Sequence, residues 1–127
     1  MNQGTHSAKN TSELTDLPTI DWKLCVRLAN NKTAVAREIL LLVIQQLPAD
    51  LAAIKRAQND ANQLELLRCI HKLHGALCYS GMPRLKNLVA YFESHLKQNA
   101  YDTAKVTKLS RQLETEVEVV LASPLPC

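Results

Sequence analysis

Four segments of this chain repeat apolar residues every three or four positions, and that spacing limits the folds open to it more than any other feature. Between Lys32 and Asn59 the repeat is Leu40, Ile44, Leu47, Leu51 and Ile54, at intervals of 4, 3, 4 and 3. After a polar gap at Asn59 to Asn62 come Leu66, Leu67, Ile70, Leu73 and Leu77; then Leu85, Leu88, Val89, Phe92 and Leu96; then Val106, Leu109, Leu113, Val117 and Val120. Residues at such intervals share one side of an α-helix, so each segment has to bury one face and wet the other. Four one-sided helices joined by short connections bury those faces most economically as an antiparallel four-helix bundle. An all-α fold is therefore expected. Composition agrees, since 46% hydrophobic residues with only 4% aromatics and 3 glycines favour helices over sheet.

The punctuation sharpens this outline. "IDWKLCVRLA" adds a short helix before the bundle, with Asp21 near its start, Ile20, Leu24 and Leu28 at helical spacing, and Asn30 and Asn31 closing it. Trp22 is expected to anchor it by packing. Gly81 is placed to cap the helix ending near Leu77, Pro83 suits the first turn of the next, and a last helix begins near Thr103 and stops before Pro124 and Pro126. Pro48 falls inside the first long segment. Because the apolar phase survives it, one long kinked helix is expected, with two separate helices as the alternative. A length of 127 residues suits one domain. Residues 1–18 are polar and aperiodic, as in a flexible linker or disordered arm; 19–122 form the bundle, and 123–127 a tail.

Several functions are disfavoured at once. The 15 Lys and Arg against 12 Asp and Glu leave +3, with no run of five or six like charges, so no nucleic-acid partner is expected. No apolar run reaches the roughly 18 to 20 residues that span a bilayer, and the N-terminus lacks the apolar centre of a signal peptide. A cytoplasmic location without direct membrane contact is the expectation. Cys25, Cys69, Cys78 and Cys127 form no CxxC pair. Cys69 and Cys78 would stand about 13 Å apart along one helix, too far for a disulfide. They read as small apolar filler or incidental thiols.

The run "CIHKLHGALCYSG", Cys69 to Gly81, is less ordinary. The apolar stripe of this helix centres near Ile70 and Leu77, and His71 points roughly 110° away from it, toward solvent. Arg68, Lys72 and Gly75 share that outer face, with Gly75 one turn beyond His71. A helix-interior glycine costs about 0.5 to 1 kcal/mol relative to alanine. One reading is an accidental glycine beside a solvated histidine. The other is access: without a Cβ at Gly75, a partner's backbone or a bulky phosphoryl group can come close to the His71 ring.

"HKLHG" followed by "YSG" resembles the His-x-Leu-Lys-Gly signature of histidine-containing phosphotransfer (HPt) domains. The wider run "IHKLHGALCYSGMPRLKNL" is similar to the C-terminal HPt module of BarA/GacS-type hybrid sensor kinases, and the likeness extends over roughly Ile20 to Leu121. The resemblance implies a four-helix bundle whose one exposed histidine takes phosphoryl from a receiver-domain aspartate and hands it to a response regulator. His71 stands at the phosphoacceptor position and Gly75 at the small residue beneath it. His74 occupies the place of the signature's lysine. Phosphate or partner contact is expected from Arg68, Lys72, His74, Gly75 and Arg84. The resemblance puts Mg²⁺ on the partner receiver and implies no cofactor or metal here. It also suggests the cytoplasmic C-terminal part of a membrane-anchored sensor kinase, the polar arm being a linker from a preceding domain.

The residue types suit that chemistry. A neutral imidazole nitrogen is a competent nucleophile near pH 7 because the ordinary histidine pKa is about 6.5. Phosphoryl transfer asks mainly for positioning and charge neutralisation. No Gly-rich loop or other nucleotide-binding signature is present, so the chain is expected to relay phosphoryl groups rather than to act as a kinase itself. A non-catalytic helical interaction module is the alternative. Metal binding by His71 and His74 is disfavoured, because facing helices lack Glu-x-x-His patterns and His71 points outward. His95 reads as a boundary histidine, Tyr79 and Met82 as packing or rim residues, and His6 belongs to the arm.

Overall fold

Residues 16–98 and 102–126 of this computed structural model are described here; residues 1–15, most of the expected arm, and Cys127 lie outside them. The described residues form five helices and no strand: α1 (Trp22–Leu28), α2 (Thr33–Asn59), α3 (Gln63–Leu77), α4 (Pro83–Leu96) and α5 (Thr103–Ala122). Polar side chains start three of them by accepting from otherwise unpaired backbone N–H groups. Asp21 accepts from Leu24 at 3.1 Å, Asn62 from Glu65 at 3.1 Å, and Asp102 from Ala104 at 3.0 Å and Lys105 at 3.3 Å. Pro83 opens α4 in its first turn, where the missing N–H has no helical partner to lose.

The chain turns after α1 through Asn30 and Asn31, both left-handed at φ 58° and 65°. Asparagine tolerates that region better than most residues because its short amide can bond locally. α2 then runs unbroken through Pro48, so one helix forms and not two. Pro48 lies on the exposed face, where water can stand in for the backbone donor that proline lacks.

The apolar stripes meet as expected. Leu40, Leu47 and Ile54 of α2, Ile70, Leu73 and Leu77 of α3, Leu85, Val89 and Phe92 of α4, and Val106, Leu113 and Val117 of α5 are buried in one core. Ile44, Leu51 and Leu96 pack at its edge, as does Trp22 from α1. Full burial of each such side chain is worth roughly 1.5 to 3 kcal/mol. α2 packs on α3, α3 on α4, α4 on α5 and α5 back on α2, closing an up-and-down four-helix bundle with α1 laid against α2. Two ion pairs join α5 to its neighbours, Lys55 to Glu114 and Arg84 to Glu116, each at 2.6 Å.

Gly81 has a different task from the expected helix cap. The C-cap of α3 is Cys78, and Gly81 lies three residues later at φ +68°. Its carbonyl accepts from the Asp21 N–H at 2.9 Å, while the Cys25 thiol donates to the Ser80 carbonyl at 3.0 Å. A Cβ on Gly81 would collide with the Cys25 sulfur and stand 2.9 Å from its backbone nitrogen. The glycine lets α1 dock on the α3–α4 turn.

Candidate functional site

His71 projects from the middle of α3 with 71% of its side chain exposed. Gly75, one turn along, faces open space, since a Cβ built there meets no atom within 4 Å. Nothing in the chain's own packing requires that glycine.

Glu93 completes the site from the neighbouring helix. It lies on the inner side of α4 with its side chain only 7% exposed, and its Oε2 is 2.5 Å from Nδ1 of His71. Its other oxygen, Oε1, is 3.2 Å from Nδ1 of His74, and the Lys97 ammonium is 3.3 Å from Oε2. Burial pushes the Glu93 carboxyl up, but the hydrogen bond from His71, then the bond and charge of Lys97, outweigh it and hold the group below its ordinary value. Glu93 is therefore a carboxylate and can only accept, which makes Nδ1 of His71 the donor. In the neutral ring the lone pair is then on Nε2.

The expected basic residues part company. Arg68 donates to Glu65 through Nε at 2.9 Å and Nη2 at 2.6 Å, a two-pronged pairing one turn away on the same helix. That pairing, ahead of burial, governs the Glu65 carboxyl, which is held at about 2. Lys72 is exposed and makes no ion pair among the described residues. Arg84 is bound to Glu116 at the start of α4, about 13 Å along the helix from Glu93. The structure thus brings His71 and His74 together around Glu93, keeps Arg68, Lys72 and Gly75 on the outer side of α3, and leaves Arg84 outside the cluster. Of the remaining singled-out residues, His95 and Met82 are buried and Tyr79 is exposed.

Glu93 and Lys97 are absent from the sequence reading. One signal was available for Glu93: it stands at helical spacing among Val89, Phe92 and Leu96, a charge on a face otherwise given to the core. A charge in such a place needs a partner. Which partner depends on how α3 and α4 pack.

The arrangement defines a class: a helical bundle with one largely exposed imidazole on its outer face, one ring nitrogen of which is tied to a buried carboxylate. The chain belongs to the Hpt domain family, whose pattern it matches over residues 38–123. It is 39% identical over 79 residues to the signal transduction histidine-protein kinase BarA of Escherichia coli K12, covering 62% of this chain and 9% of that one. To the sensor histidine kinase GacS of Pseudomonas protegens it is 37% identical over 98 residues, covering 76% and 11%. The crystal structure of the HPT domain of a sensor hybrid histidine kinase from Shewanella superposes with a TM-score of 0.62 at 32% identity, covering 86% of this chain and 97% of that one. The chain spans about a tenth of the length of the curated relatives it matches. Family and relatives together support histidine phosphotransfer in a two-component phosphorelay. Among the described residues no helix is long and apolar enough to cross a membrane.

Proposed function

We propose that His71 is the phosphoacceptor, taking the phosphoryl group of a receiver-domain aspartyl phosphate on Nε2 and passing it to the aspartate of a response regulator. The observation that carries this reading is the division of labour on one ring: Nδ1 is bound to buried Glu93 while the ring itself stands out in solvent. In the step, the Nε2 lone pair forms the N–P bond. The bond from phosphorus to the aspartyl oxygen breaks, and its electron pair leaves with the carboxylate. The proton stays on Nδ1, so the phosphorylated ring is cationic and Glu93 balances its charge. Holding that counter-charge in place beforehand, rather than recruiting it during the reaction, lowers the barrier.

Gly75 leaves room for the receiver's backbone, and exposed Lys72 offers a positive charge to an acidic partner. Arg68 offers less, because Glu65 offsets it. In this reading the Mg²⁺ belongs to the receiver, the chain has no kinase activity of its own, and the domain works in the cytoplasm as part of a larger sensor histidine kinase. The test is incubation with a phosphorylated receiver domain followed by assay for acid-labile phosphate on this chain. Parent protein acquires it, and His71→Gln, which changes an exposed residue, folds but does not. Phosphate appearing on His74 or His95 in that variant would overturn the assignment, and no phosphate on the parent would leave only a docking module.

A further inference from the structure

The two oxygens of Glu93 face different company. Oε2 accepts from His71 at 2.5 Å and has the Lys97 ammonium at 3.3 Å, whereas the nitrogen paired with Oε1 is Nδ1 of His74, at 3.2 Å. That second contact is at ion-pairing distance without the alignment of a hydrogen bond, so its strength depends on whether His74 is charged. A neutral His74 leaves the Glu93 charge to His71 and Lys97. A cationic His74 draws on the same carboxylate and weakens its grip on the His71 Nδ1–H.

Accepting His71 as the phosphoacceptor, we propose that His74 is a positioning residue: through Glu93, its charge sets how firmly the proton is held on Nδ1 of His71. Histidine is the side chain whose charge ordinarily changes between pH 5 and 8, so the device ties the state of Nε2 to ambient pH. The contact at Oε1 is that of His74, while Lys97 of α4 and His71 of α3 meet Oε2. α2, also packed on α3, has its Lys55 engaged by Glu114. On the far side of α4, Glu116 of α5 is engaged by Arg84 and Lys105 lies over the Tyr91 ring at 5.1 Å. His74 is 28% exposed, so solvent protons reach it.

The test needs no phosphoryl transfer and so stands or falls apart from the proposed function. The His71 Nδ1 proton is followed by NMR at pH 8 and pH 5 in the parent, in His74→Gln (always neutral) and in His74→Lys (always positive). Its exchange with water is expected to be on the order of tenfold faster in His74→Lys than in His74→Gln at either pH, the size of one hydrogen bond's worth of grip. The parent should match His74→Gln at pH 8 and move to the faster value at pH 5. A parent that tracks His74→Gln at both pH values overturns the proposal, and that comparison decides the matter even if His74→Lys fails to fold.

Discussion

Oε2 of Glu93 and Nδ1 of His71 lie 2.5 Å apart, joining a buried carboxylate of α4 to an exposed ring of α3 that is 22 residues earlier in the chain. The contact assigns the two ring nitrogens their roles, because a group that can only accept forces the proton onto the nitrogen it touches. Exposed histidines without such a partner share the proton between both positions.

Glu93→Gln keeps the shape and removes the charge. Phosphoryl transfer to His71 should slow by roughly 10²- to 10³-fold, the range found when one preorganised electrostatic partner is lost. The same variant should alter acid stability in a definite direction. The folded Glu93 carboxyl lies below its ordinary value of 4.5, so its contribution is present above about pH 4.5 and disappears as pH falls through the lower folded value. Thermal midpoints of parent and variant, taken from pH 7 down to pH 3, should therefore converge. A gap that stays constant would show that Glu93 contributes packing alone.

Two glycines should respond in opposite ways to alanine. Gly75 has open space around it, so Gly75→Ala should stabilise the fold by up to about 1 kcal/mol through better helix propensity. Gly81 is left-handed and pressed on Cys25, so Gly81→Ala should cost on the order of 1 to 3 kcal/mol. Function should reverse the order at position 75. Across Gly, Ala, Leu and Glu there, the transfer rate from a phosphorylated receiver should fall as size rises, since misplacement by about 1 Å can cost on the order of 10²-fold. Thermal midpoints should not fall with it. Full transfer in Gly75→Leu would remove partner access as the reason for the glycine.

Lys72 and Arg68 share a face but should not share a phenotype. Lys72→Ala should slow transfer more at 20 mM than at 500 mM salt, because the screening length shrinks from about 20 Å to roughly 4 Å. Arg68→Ala should show less salt dependence, since it removes a cation already offset by Glu65. In that variant the Glu65 carboxyl should return from about 2 toward its ordinary value, which a carboxyl titration by NMR would read directly. Equal salt dependence for both variants would count against Glu65 as the cause.

The helices, their order and most of their ends were legible in the sequence, because helical spacing, Asn and Asp caps and proline placement act over a few residues. Leu40 to Ile54 marks one buried face whether or not the rest of the bundle is known. His71 and Gly75 were legible for the same reason, both being defined by their angle to the stripe of their own helix. What only the tertiary structure decided lies between helices. Gly81 looked like a cap because the α3 sequence ends near it; its actual constraint is Asp21, the N-cap of α1, and Cys25 within α1, 60 and 56 positions earlier in the chain. Arg84 looked available because its partner, Glu116, is 32 residues further on. Glu93 was visible as a charge among core positions, yet its meaning required α3 and α4 to pack in one register. Local spacing dictates which face of a helix is buried, whereas the atom that a buried charge will meet depends on the rotation and offset of the neighbouring helix, and those emerge only when all the stripes pack together.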